Sequence, residues 1–192
     1  MRLRWGMGLL SWWLVLLTGC AAGPQVVTLQ PFVEAPLAQV GRGRELVLEV
    51  VDRRPSQTFG YLAGIGGNPP ISSSGDLSQA VWQALADRLN QAQFVVAPAR
   101  PGAPLALRVE ILAVEYRTAG SPVINEVRTS ARLQATARNG ALTASGEFQA
   151  DSARRVLTPP GMVDSVYMLN EVLSRALERM LQDPKLAGTL AG

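Results

Sequence analysis

The dipeptide Asn139-Gly140 and the pattern on either side of it constrain the fold more than any other feature. Asn-Gly favours the positive φ of a two-residue β-turn. Folding the chain there sets Ala137, Ala135, Leu133 and Ala131 opposite Leu142, Ala144, Gly146 and Phe148 on one face. On the other face it sets Thr136 opposite Thr143, Arg132 opposite Glu147 and Arg128 opposite Asp151. Large residues meet small ones and opposite charges meet, each pair contributing about 0.2–1 kcal/mol. Both faces support one hairpin over Glu126–Asp151. Its inner residues are small, which leaves room for a helix to pack closely.

The remaining periodicity is equally readable. In ELVLEVVD (Glu45–Asp52), Leu46, Leu48 and Val50 share one face and Val47, Glu49 and Val51 the other, a strand pattern. Asp76 is placed to N-cap a helix, with Gln79 three residues on. Leu77, Val81, Leu85, Leu89 and Ala92 continue it as an i, i+4 stripe. Phe94-Val95-Val96 follows as a short strand. From Leu105 to Arg117 the apolar set is Leu105, Leu107, Val109 and Ile111, then shifts to Leu112, Val114 and Tyr116. A one-residue change of phase inside a strand is what a β-bulge produces, so one is expected near Ile111–Leu112. A second helix is expected from Met162 to Leu181, with Val166, Leu169, Leu173, Leu177 and Met180 inward. Pro184 ends it, and Lys185–Leu190 adds a short turn. Ser56 to Gly75, rich in Gly, Pro and Ser, reads as a surface loop. These elements imply an α+β two-layer sandwich, with a mixed or antiparallel sheet of four to five strands and two helices on one face.

Composition narrows the chemistry. The 192 residues include no His and one Cys, which removes His-based acid–base catalysis, disulfides and most zinc sites. No apolar run reaches the roughly 18–20 residues of a spanning helix.

The first twenty residues, MRLRWGMGLLSWWLVLLTGC, have the layout of an export signal: Arg2 and Arg4, then an uncharged and mainly apolar stretch. Leu17-Thr18-Gly19-Cys20 at its end resembles the bacterial lipobox. That resemblance implies cleavage before Cys20, diacylglycerol on its sulfur and an acyl chain on its new amino group. Ala21, where Asp would favour retention in the inner membrane, points by the same resemblance to the outer membrane, with the chain facing the periplasm. Loss of residues 1–19 takes Arg2 and Arg4 and lowers the net charge from +3 to +1. The basic isoelectric point is therefore no sign of a nucleic-acid partner. Residues 20–43, with Pro24, Pro31, Pro36 and Gly41, read mostly as a lipidated tether, in which Val26–Leu29 could pair at a sheet edge. Residues 44–192 read as one periplasmic domain.

Asp52-Arg53-Arg54-Pro55 is the most polar cluster beside a confident strand. Two arginines next to a Gly-rich loop could receive a phosphate, a glycan carboxylate or an acidic side chain of a partner. The structural alternative has Asp52 capping the turn and the arginines solvated, and it is the favoured one. The Gly-rich stretch lacks the Gly-Lys-Ser/Thr ending of a phosphate-binding loop. No cofactor is implied, and the chain is expected to be no enzyme.

Taken together, lipobox Cys20, VVDRRP (Val50–Pro55), the helix leading into FVV (Asp76–Val96), LALRVEILAVEY, the Arg128–Asp151 hairpin and the C-terminal helix with Gln182-Asp183-Pro184 resemble the YajG-like family of bacterial lipoproteins. The resemblance implies a place and a fold without an established activity. The expected role is an interaction or accessory subunit of an envelope assembly, held to the membrane through Cys20. The alternative is a binding module for an anionic or glycan ligand at Arg53 and Arg54.

Overall fold

The computed structural model describes residues 25–34, 36–62, 68–120, 125–158 and 160–192. Among them the chain forms β1 (Gln25–Val27), β2 (Glu45–Asp52), β3 (Thr58–Tyr61), β4 (Pro70–Ser73), α1 (Leu77–Gln91), β5 (Val95–Pro98), β6 (Leu105–Gly120), β7 (Asn125–Asn139), β8 (Leu142–Val156), α2 (Met162–Leu181) and α3 (Pro184–Ala191). The expected sandwich of four to five strands and two helices is corrected: the described residues hold one mixed eight-stranded sheet and three helices.

Strand β6 organises the sheet. Along one edge it pairs antiparallel with β7, and β7 with β8. Along the other edge two strands lie end to end, both parallel to it. Val47–Asp52 of β2 takes Ala106–Ile111, and Gly60 of β3 takes Tyr116. The sheet therefore forks, one branch continuing from β2 to β5 and the other from β3 through β4 to β1. The register of β6 against β7 shifts between Ile111 and Ala113, the bulge that the change of hydrophobic phase predicts. The bulge keeps Leu105, Leu107, Val109 and Ile111 on the core face together with Val114 and Tyr116.

The extra strands come from segments with weak periodicity. The stretch read as a surface loop contains β3 and β4, whose four-residue lengths are too short for an alternating pattern to stand out. Part of the stretch read as tether also belongs to the fold. Strand β1 pairs parallel with β4, and Leu29 and Val33 are buried. The backbone N–H groups of Gln30, Phe32 and Glu34 donate to Asn170 Oδ1, Ser174 Oγ and Glu178 Oε1 on successive turns of α2, at 2.8, 2.9 and 3.0 Å. A segment satisfied by side chains of a helix has no ladder of its own to be read from sequence.

The hairpin forms with its faces as expected, except that Leu142, read as inward, is exposed at the turn, and with a corrected register. Asn139 pairs with Leu142, so Gly140 and Ala141 form the turn rather than Asn139 and Gly140. Gly140 supplies the positive φ of 57° at the first turn position. Asn139 stays in the ladder because Leu105 pairs with it and its Nδ2 donates to the Thr189 carbonyl of α3 at 3.0 Å. Every partner on β8 therefore moves by two residues: Leu133 faces Phe148, and Arg128 faces Ala153. An even slip preserves the faces. Ala131, Leu133, Ala135 and Ala137 are all buried, and Arg132 still reaches Glu147 on the diagonal at 3.7 Å.

The helices share the face of the sheet that carries these buried residues. In α1, Leu77, Val81, Leu85 and Leu89 are buried, and Asp76 accepts from the N–H groups of Ser78 and Gln79 as the N-cap. Trp82 Nε1 donates to the Leu48 carbonyl of β2 at 3.1 Å. Helix α2 has the expected bounds and buries Leu169, Leu173, Leu177 and Met180 against β7 and β8. The expected short turn after Pro184 is a full helix, α3, capped by Asp183.

Candidate functional site

The fork of the sheet places Asp52-Arg53-Arg54-Pro55 between the end of β2 and the start of β3. Successive side chains of an extended chain point to opposite sides, and the two arginines separate accordingly. The Arg53 N–H donates to the Ile111 carbonyl at 2.9 Å, and its guanidinium lies 3.6 Å from Glu110 on the solvated face. Arg54 turns inward, with its side chain only 4% exposed. Its Nε and Nη2 donate to Asp52 Oδ1 and Oδ2 at 3.0 and 2.8 Å, and its guanidinium lies 4.8 Å from the centre of the Phe59 ring. Arg54 Nη1 is buried with no hydrogen-bond partner among the described protein atoms. The structure thus brings Asp52 and Arg54 together but does not join Arg53 and Arg54 into one cationic pair.

Two open depressions meet at Arg54. One, about 380 Å³, lies between β3 and the second half of β6 and is lined by Phe59, Tyr61, Val114 and Arg117. The other, about 610 Å³, runs from Asp52 to the N-terminus of α1 and is lined by Ser56, Ser73, Ser74 and Asp76. Asp52 and Asp76 make the second depression mixed in charge. Phe59, which stacks under Arg54, was not among the residues singled out from sequence. Its only signal is an aromatic residue five positions after the arginine, in a segment without clear periodicity.

The titratable groups with shifted equilibria have structural partners elsewhere in the fold. The Arg108 guanidinium, hydrogen-bonded to Glu110, holds that carboxyl below the ordinary carboxylate range, and Arg53 adds to the effect. Burial pushes the Tyr116 hydroxyl above its ordinary value. Ser165 Oγ is hydrogen-bonded to it at 3.1 Å and donates to the Gly161 carbonyl at 2.9 Å, tying the start of α2 to β6.

Cys20 and the export signal lie outside the described residues. Cys20 precedes Gln25, the first residue of β1, by five positions.

Comparisons with known proteins point to a lipoprotein family. The family model of uncharacterized lipoproteins matches residues 31–191. A search of the curated proteins found no match. Among solved structures, a Xanthomonas campestris protein is similar at 13% identity, with a TM-score of 0.58 over 85% of this chain and 95% of that one. An uncharacterized protein is similar at 16% identity, with a TM-score of 0.53 over 84% of this chain and 98% of that one. At these identities the likeness concerns the fold alone. The match over residues 31–191 and the motifs that resemble the YajG-like lipoproteins agree: the chain belongs to a family of uncharacterized lipoproteins of the bacterial envelope.

Proposed function

We propose that this protein is a non-enzymatic interaction or accessory subunit, anchored to the periplasmic face of the outer membrane by lipid chains on Cys20. The observation that carries the reading is Leu17-Thr18-Gly19-Cys20, at the end of an export signal and five residues ahead of a folded domain, in a chain of a lipoprotein family. One acyl chain anchors only marginally, whereas the diacylglycerol and N-acyl chains together hold a protein durably. Support for a docking role comes from the duties of the polar groups. Asp76 caps a helix, Arg108 and Glu110 pair on the solvated face, and Tyr116 and Ser165 tie a helix to the sheet.

The test is Cys20→Ser. A hydroxyl is a far weaker nucleophile than a thiol at neutral pH. The variant is expected to lose palmitate labelling, and the wild type to fractionate with outer membranes on a density gradient. Equal labelling of both proteins refutes the anchor. Cross-linking in intact cells is expected to recover one reproducible envelope partner, and recovery of none under several conditions counts against the docking role.

A second reading, an anionic ligand at the fork, is favoured by Arg54 Nη1, buried without a hydrogen-bond partner among the described residues. It predicts that phosphate or a uronic acid raises the thermal midpoint of the wild type and not of Arg54→Gln.

A further inference from the structure

The strand directions gather several chain ends at one side of the domain. Strand β3 runs parallel to β6, so Tyr61 and Gly120 end on the same side. Strand β4 is antiparallel to β3 and parallel to β1, so β1 begins there. Strand β8 ends there too, because Val156 pairs with Asn125 at the start of β7. The start of α2 follows. The segment after β1 runs alongside this helix in the same direction, with Gln30, Phe32 and Glu34 meeting Asn170, Ser174 and Glu178. Strand β1 therefore begins, and α2 starts, toward the same end of the domain.

This end is also where exposed apolar side chains concentrate. Val26 is 61% exposed, Tyr61 57%, Leu157 84%, Val163 82% and Tyr167 62%. Val163 and Tyr167 are one helical turn apart and lie off the buried stripe of α2. Arg154 and Arg155 immediately precede Val156 and Leu157; Arg154 is paired with Glu171 of α2 at 2.6 Å, and Arg155 is exposed. Exposed apolar side chains at one end of a domain, with tyrosines and an exposed arginine among them, have the chemistry of a surface that meets lipid headgroups.

We infer that this end of the domain lies against the lipid surface, with Val26, Leu157, Val163 and Tyr167 entering the headgroup layer. The inference rests on lipidation of Cys20. Five residues of extended chain reach about 18 Å at most, so Gln25 cannot stand farther than that from the anchored sulfur. The side of the domain nearest Gln25 is therefore the side held at the membrane. A bilayer is favoured over a second copy as the occupant because the tether fixes this side next to lipid, and because the exposed Arg155 beside Leu157 suits anionic headgroups.

The test uses the full lipoprotein reconstituted in vesicles of phosphatidylethanolamine and phosphatidylglycerol. An environment-sensitive fluorophore is attached through Val163→Cys or, in a control, through Leu142→Cys. Leu142 is 59% exposed at the β7–β8 turn, on the opposite side of the domain. The expected result is a blue shift at position 163, with emission lost to headgroup spin-labelled lipid, and neither change at 142. Water-like emission at both positions, in protein that carries palmitate and floats with the vesicles, overturns the inference and leaves the anchor standing. Absence of palmitate and of flotation overturns both. A blue shift at 163 that persists in detergent and grows with protein concentration assigns this end to a second copy and likewise overturns the inference.

Discussion

Replacing Gly60 by alanine isolates the joint on which the forked sheet depends. Gly60 is the residue of β3 that pairs with β6, at Tyr116. A Cβ built on it would lie 1.8 Å from the Tyr116 carbonyl oxygen and 2.8 Å from its carbonyl carbon. A relaxed carbon–oxygen contact is about 3.2 Å, so the strands must separate by more than an ångström, and the obstacle is backbone that cannot rotate away. Overpacking of this kind costs about 1–3 kcal/mol. Weakening a ladder hydrogen bond adds about 0.5–1.5 kcal/mol. The expected loss is about 2–4 kcal/mol, or roughly 4–16 °C in thermal midpoint for a domain of this size. Gly75→Ala is the control: nothing lies within 4 Å of its Cβ position, and its φ is not positive. That change should be neutral or stabilise by up to about 1 kcal/mol through the unfolded state. Equilibrium urea unfolding followed by circular dichroism measures both variants. If Gly60→Ala falls within about 0.5 kcal/mol of Gly75→Ala, the close approach of β3 to β6 is wrong, and the fork with it.

Three further outcomes follow from the same contacts. Asp76→Ala should destabilise the protein by about 0.5–2 kcal/mol at neutral pH through loss of the α1 cap. The Ser78 hydroxyl, helped by the N–H groups of Gln79 and Ser78 and opposed by partial burial, holds the Asp76 carboxyl below its ordinary 3.8. The ionised cap therefore stabilises above that value. The gap between wild type and variant should close as pH falls below about 3.8, and a gap that widens in acid would contradict the cap. Ala135→Leu should cost about 1–3 kcal/mol in urea unfolding, because Ala135 is 1% exposed beneath the helical layer; a neutral result would place the helices farther from β7. Leu173→Ala, at a position with 0% exposure, should cost about 2–5 kcal/mol, and a loss under 1 kcal/mol would remove α2 from the core.

What the sequence by itself determined were the features carried by period and punctuation. The α2 bounds, the Asp76 cap, the Ile111–Leu112 bulge and the two faces of the hairpin were all legible, because each is local or repeats over many residues. Tertiary structure decided whatever depended on distant partners. Strands β3 and β4 exist because β6 continues past the end of β2 and offers an unpaired edge, which four-residue segments cannot announce. Asn139 was kept in the ladder by β6 and α3, which moved the hairpin register by two residues where the turn dipeptide alone favoured another. Arg53 and Arg54 are neighbours in sequence, but the extended chain sends one to Glu110 and the other onto Phe59, so the cationic pair suggested by their adjacency does not form. Residues 30–34 gave no pattern because the N–H groups of Gln30, Phe32 and Glu34 end on side chains of α2, some 140 residues away. A local pattern reports which way a side chain faces. It carries no information about which distant group will satisfy the backbone, and in this protein that group set the size of the sheet.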